Sequence, residues 1–321
     1  MSPGPGHRRL AVTVVAGGEE AAGVAAGLAR LLAPRGVALV GPPEAVGDGP
    51  HADGVLAVPA RPATGYRTAG CECCSMRVDV LDALGLVVRR RRPPRHAVVV
   101  TPHDAVGVAQ TVLSDPDLAA HLRLDAVVAT CEGPALSTRI AAGGPLGTEE
   151  ELATLAAADA VVVAGAHRLS PGGMGAVRRT LRSVSRAGQV LAPRGGTAVL
   201  SLVDRRAWRG RMASAPGAAV LPPPDGGPAT VVVEAEGPLG ADGVRAWLDR
   251  VVDDHAPGLL RLQGELCVAE HERAVDCVGM RSFVTTRRGR ALPAAASHVS
   301  LVGWGLDGAD LAAGLRSTAS A

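Results

Sequence analysis

The sequence predicts an open, doubly wound α/β domain with a mostly parallel sheet, followed by a small α+β domain. Three observations carry that prediction. Apolar runs alternate with helical stretches through the first two-thirds of the chain. Several runs are apolar at nearly every position, as strands covered on both faces of a parallel sheet must be. Beyond residue 228 the order changes to one strand, one helix and then strands in succession.

Taken in order, "LAVTVVAG" is a strand ending in glycine, and "EEAAGVAAGLARLLA" a helix. "GVALVG" and "GVLAVPA" are further strands. "RVDVLDALGLVVRR" places Val78, Leu81, Leu84 and Val88 at helical spacing, with Asp79 and Asp82 read into its first turn, where the helix dipole favours acids. "HAVVVT", "LDAVVAT" and "ADAVVVAG" are strands, and "VGVAQTVLSDPDLAAHLR" and "GGMGAVRRTLRSVSRAG" the helices among them. Residues 204–228 are rich in Pro, Gly and Arg and read as a linker between a first domain, 1–203, and a second, 229–321. The second domain reads as strand "TVVVEAEG", helix "ADGVRAWLDRVVDDHA", strands "LLRLQGELCVAE", "AVDCVGMRSFVTT" and "HVSLVGWG", and terminal helix "LDGADLAAGLRSTA".

Composition narrows the function. Apolar residues make up 47% of the 321 and aromatics only 2%, so the core must be Ala, Val and Leu. Lys and Asn are absent, and all 33 basic residues are Arg. No motif that needs a lysine or an asparagine can exist here. A net charge of +2 exerts no global pull toward nucleic acid or membrane. No run approaches the ~18 apolar residues of a membrane span, and the first residues lack a signal-peptide pattern, so the chain reads as cytoplasmic.

The first strand, glycine turn and helix stand where a phosphate loop would, G-x-x-x-x-G-K-S/T, whose lysine and hydroxyl serve the phosphates and magnesium. In that register Gly17 is followed by Ala22, Gly23 and Val24, so the lysine position is Gly23 and the hydroxyl position Val24. Glu19 and Glu20 lie inside the loop and repel phosphate. Read alone, the stretch is a plain βα turn. Gly17, Gly18 and Gly23 are the candidate residues of a degenerate nucleotide site, holding phosphate only through backbone donors and the helix dipole.

"GCECCSMR" concentrates Cys71, Cys73 and Cys74 on what reads as one loop. In a reducing compartment such clusters point to metal or redox work, not structural disulfides. Zinc takes four ligands, and three thiolates supply a partial set that water, nucleotide, a side chain or a partner would complete. A reduced cluster without metal is the bland alternative. A thiol redox site is the other, on the C-x-x-C spacing of Cys71 and Cys74, though Cys73 would complicate exchange.

"GCECCSMRVDVLDAL" resembles the GC-x-CC segment of the CobW family of P-loop GTPases that act as metallochaperones. "AVTVVAGGEEAAGVAAGLARLL" is similar to that family's P-loop strand and helix, "VGVAQTVLSDPDLAAHLRLDAVVAT" to its alanine-glutamine helix and next strand, and "ELATLAAADAVVVAGAHRL" to the region ending in N-K-x-D. The tail from "LLRLQGELCVAE" to "LDGADLAAGL" resembles its C-terminal domain. The resemblance implies a P-loop-NTPase-like fold, Zn2+ held by Cys71, Cys73 and Cys74, and a client metalloprotein as partner. Departures from the pattern bear on activity. The lysine falls on Gly23, the magnesium hydroxyl on Val24, and N-K-x-D on Ala164, Gly165, Ala166 and His167. An imidazole cannot replace the carboxylate that reads guanine. Cys131-Glu132 stands where the family carries Val-Asp, and only Asp104 lies near the strand end that should offer an acid. GTP and Mg2+ are therefore doubtful ligands, and negligible GTP hydrolysis is expected.

A second reading is a zinc-responsive adaptor that recruits a ribosome-hibernation factor, as one branch of CobW-like proteins does. The basic run "VVRRRRPPRH", residues 87–96, is the segment that would speak for it, against a solvated helix C-terminus whose dipole favours arginine. His103 and His167 are candidate fourth metal ligands, or plain solvated loop histidines. Cys267 and Cys277 read as small buried residues on adjacent strands, His271 as a weak metal candidate between them, and Trp247 as a core anchor.

Overall fold

The computed structural model describes residues 9–47, 54–60, 72–102, 104–185, 189–192, 227–256, 258–269, 271–291 and 296–320. Among them the chain runs β1 (Leu10–Ala16), α1 (Glu20–Leu32), β2 (Val37–Gly41), α2 (Pro43–Val46), β3 (Val55–Pro59), α3 (Glu72–Val88), β4 (His96–Thr101) and α4 (Ala105–Ser114). It continues through β5 (Leu122–Glu132), α5 (Gly133–Ala141), α6 (Glu149–Ala157), β6 (Ala160–Ala164), α7 (Pro171–Val184) and β7 (Gln189–Leu191). The chain divides into two compact units, the first holding these strands.

All seven strands pair in parallel, in the order β3-β2-β4-β1-β5-β6-β7. Helices on the two faces explain the uninterrupted apolar runs. Every residue of β1, β2 and β4 is buried. On one face Leu28 and Leu32 of α1 pack with Leu39, Val98, Val128 and Val162 from four strands. Removing such a leucine to alanine costs about 2–5 kcal/mol. The polar pair Thr13–His96, Oγ1 to Nε2 at 2.9 Å, satisfies a buried imidazole where β1 and β4 run side by side.

The second unit holds β8 (Ala229–Glu236), α8 (Ala241–His255), β9 (Leu259–Leu266), β10 (Arg273–Met280), β11 (Phe283–Ala291), β12 (Ala296–Gly303) and α9 (Gly308–Arg316). Its sheet is antiparallel, in the order β11-β10-β9-β12-β8. Trp247 is buried among Val233, Leu262, Leu301 and Leu315, as its sequence position suggests. "AVDCVGMRSFVTT", read as one strand, is a hairpin that turns at Arg281-Ser282, with Arg281 at φ 49. No glycine or asparagine marks that turn.

Two further readings change, and a third falls outside the described residues. The helix after the cysteines begins at Glu72, so Asp79 and Asp82 lie in its body and not in its first turn. "VGVAQTVLSDPDLAAHLR" is helical only to Ser114, because Asp115 leaves the helical region (ψ 117) and accepts from the N–H groups of Asp117 and Leu118. The supposed linker, 204–228, lies outside the described residues as far as residue 226. No helix among the described residues is long and apolar enough to cross a membrane.

Candidate functional site

A cavity of about 780 Å³ opens beyond the carboxyl ends of β1, β4 and β5, beside the N-terminus of α1. This is where strand order diverges on either side of β1, the usual ligand crevice of an open α/β sheet. Gly17, Gly18, Glu20 and Ala22 line it from the first βα turn, and Thr130, Cys131 and Glu132 from β5. Gly23 is one turn into α1 and does not line it.

The turn itself is short. α1 begins at Glu20, so the residues that would form the far half of a phosphate loop are already wound into helix. Gly17 has φ 144, and a Cβ there would meet the Thr130 carbonyl oxygen at 2.6 Å, so only glycine fits. Thr130 donates from Oγ1 to the Ala16 carbonyl at 3.1 Å, closing the floor between β1 and β5. The Glu20 carboxylate reaches Thr130 Oγ1 at 3.5 Å and stands 3.0 Å from where a Gly18 Cβ would be. A carboxylate therefore lies over the backbone that would have to receive a phosphate.

The other acids hold the framework. Glu132 caps α5 by accepting from the Ala135 N–H at 2.5 Å and pairs with Arg168. Glu151 completes a capping box with Thr148 at the start of α6. Glu150 accepts from the backbone N–H of Asp104. Asp104 is itself left-handed, φ 46 and ψ 51, and caps α4 by accepting from the Gly107 N–H at 3.0 Å. That places Asp104 as a helix cap and not as an acid facing phosphate. Arg139 is the cation of the lining, with Nη1 3.8 Å from Glu151.

Cys131 lies among these groups. Burial, with Glu20 and Glu132 adding to it against Arg139, pushes its thiol up to about 12. It stays protonated at neutral pH in the metal-free chain, which makes it a poor nucleophile. Beyond β6, Gly165 is left-handed and Arg168 covers it, its guanidinium 2.5 Å from a Cβ built there. The position of a base-reading carboxylate is taken by His167, which is exposed, next to the Arg168–Glu132 pair. Mg-GTP does not fit this donor set.

Cys73 and Cys74 lie in the first turn of α3, not on a loop, while Cys71 and His103 lie outside the described residues. Among the described residues no three His, Cys, Asp or Glu side chains gather to hold a metal. Cys267 and Cys277 are free, with Cys277 in the core and its thiol pushed up to about 12 by burial. His271 is exposed beyond them.

Fold and site define a P-loop-like doubly wound domain, with its phosphate turn closed, joined to an antiparallel α+β domain. Residues 229–319 match the family profile of the cobalamin synthesis protein cobW C-terminal domain. The Zn(II)-bound YjiA GTPase from E. coli has the same fold over 97% of this chain and 99% of its own, with a TM-score of 0.63 and 17% identity. A Zn(II)-bound triple mutant of YjiA superposes over the same shares with a TM-score of 0.67 and 16% identity. No curated protein sequence matches the chain. Residues 229–319 are thus a CobW C-terminal domain, and the two-part fold is the one seen in YjiA.

Proposed function

We propose that this chain is a CobW-type zinc-handling protein that holds Zn2+ through Cys71, Cys73 and Cys74 and has lost GTP hydrolysis. The observation that carries the reading is a contrast. The nucleotide turn has Gly23 and Val24 in place of lysine and hydroxyl and a carboxylate over its backbone, while the thiol cluster is complete. Zinc is the metal that three closely spaced thiolates suit best in a site with an open fourth position. The YjiA structures, described as Zn(II)-bound, support zinc as the metal of this fold; the mutant, which lacks one glutamate and two neighbouring cysteines, is described the same way, so the thiols need a direct test. In this reading the partner is a client metalloprotein that receives or reports the metal.

The test is zinc affinity by chelator competition under reducing conditions, comparing the native chain with Cys71→Ser/Cys73→Ser/Cys74→Ser. Tight one-to-one binding, lost in the triple variant, is expected. Equal affinity in the two proteins would refute the assignment.

A further inference from the structure

We infer that the amino edge of the parallel sheet, opposite the cavity, is a binding surface for the phosphate backbone of nucleic acid. The strand starts of β2, β4 and β1 lie level, since Val37 and Ala11 both pair with His96. Arg95 and Arg9 immediately precede β4 and β1, Arg35 stands two residues before β2, and all three are exposed. Neighbouring strands are ~4.8 Å apart, so this row spans about 10 Å. Backbone bonds tie it together: Arg95 N–H donates to the Gly36 carbonyl at 3.0 Å, and Ala11 N–H to the Arg95 carbonyl at 3.3 Å. On the same edge Arg89, Arg90, Arg91 and Arg92 follow α3, all exposed.

The helix dipole does not account for this run. α3 ends at Val88 with no basic residue in its last turn, and the dipole's influence fades within that turn. Ion pairing does not account for it either. Among the described residues no acid pairs with Arg9, Arg89, Arg90, Arg91, Arg92 or Arg95. Among the described residues the acids of this edge lie toward β5 and β6: Asp125 is taken by Arg123, Asp159 accepts from the Val127 N–H, and Asp115 caps a turn. The near-zero net charge of the chain thus conceals a separation, with Glu19, Glu20 and Glu44 at the cavity edge and Arg9, Arg89, Arg90, Arg91, Arg92 and Arg95, which pair with no acid among the described residues, at the other.

Two features favour nucleic acid over a protein partner. Stable protein interfaces need an apolar or aromatic centre, and Leu86, 64% exposed, is the exposed large hydrophobic among the described residues. Pro93 and Pro94 stiffen the segment, which lowers the entropy lost when its arginines are ordered. A duplex presents one negative charge per ~1.7 Å of axis, so a 10 Å row meets about six. Among the described residues no helix N-terminus or β-ribbon stands on this edge to read bases, so recognition is of the backbone alone.

The test is fluorescence anisotropy of the full chain with labelled RNA and DNA duplexes of one length across a salt series. With four phosphates engaged, affinity falls on the order of 100-fold between about 50 and about 200 mM salt. Arg90→Ser/Arg91→Ser/Arg92→Ser lowers the log–log salt slope by about three, whereas the corresponding Lys triple keeps it. Both variants keep the native melting profile because these side chains are exposed. Preference for RNA or DNA names the source of the phosphates and supports the surface either way. Salt-insensitive binding, or a serine triple that binds like the native chain, would overturn it. So would polyglutamate or anionic vesicles binding as tightly as the duplexes.

Discussion

Restoring the missing lysine and hydroxyl will not restore nucleotide binding while Glu20 is present. The double variant Gly23→Lys/Val24→Thr supplies both missing groups, and position 23 has room, with nothing within 4 Å of a built Cβ. Glu20 still stands over Gly18 at 3.0 Å from where a side chain would begin. A phosphate on the same backbone would sit about 4 Å from that carboxylate, which costs about 1 kcal/mol per charge at the dielectric of water and about 4 kcal/mol at the effective value of a protein surface. The double variant should therefore bind Mg-GTP about 10- to 1,000-fold more weakly than Gly23→Lys/Val24→Thr/Glu20→Gln. Titration calorimetry with Mg-GTP measures both. Tight binding by the double variant, or no gain on adding Glu20→Gln, would refute the placement of Glu20 as the group that excludes phosphate.

Two further outcomes follow from burial. Cys131 and Cys277 have thiols near 12 in the folded chain against 9.0 for the exposed group, so between those values the unfolded state has released protons that the native state keeps. Stability is unaffected below pH 9 and falls above it, by about 1.4 kcal/mol per pH unit for each thiol; urea unfolding at rising alkaline pH reads the slope, and Cys277→Ala should reduce it, an unchanged slope counting against the buried thiol as its source. Trp247→Ala removes the anchor of α8 and should destabilise the second unit by about 3–5 kcal/mol, measured by urea unfolding followed by circular dichroism.

The strands of the first unit were legible because parallel pairing buries both faces and leaves apolar runs such as "HAVVVT" with no alternation to misread. α5 was not, because "GPALSTRIA" carries little apolar periodicity and is held by a cap from Glu132 and by packing. α6 did announce itself, through the Thr148–Glu151 capping box, a signal weaker to the eye than the strand that follows. The β10–β11 turn carries no local signal, since Arg281 adopts a left-handed conformation usually left to glycine or asparagine. In the site, absent groups were legible as letters: no lysine at 23, no hydroxyl at 24. The duties of the acids were not. Glu150 and Asp104 are 46 residues apart and meet only in the fold. The basic run was visible as following a helix, but the residue at which α3 stops, Val88, could not be read from "VVRRRR".

The two ends of the sheet make one argument about what this fold has kept. A parallel α/β sheet offers a ligand crevice at its carboxyl edge whatever the sequence, and here that crevice persists at about 780 Å³. Its charged groups are turned inward: Glu132 and Glu151 cap helices, Glu150 accepts from the Asp104 N–H and Arg168 pairs with Glu132, so the lining stabilises the domain. The opposite edge has gone the other way. Among the described residues its Arg9, Arg89, Arg90, Arg91, Arg92 and Arg95 pair with no acid, and exposed like charges side by side repel each other by a few tenths of a kcal/mol a pair at physiological salt, so they lower the stability of the free chain. Charges that cost the folded state and serve no internal contact are best explained by something outside it. The proposed phosphate-binding surface therefore lies at the amino edge of the sheet and not in the crevice at its carboxyl edge.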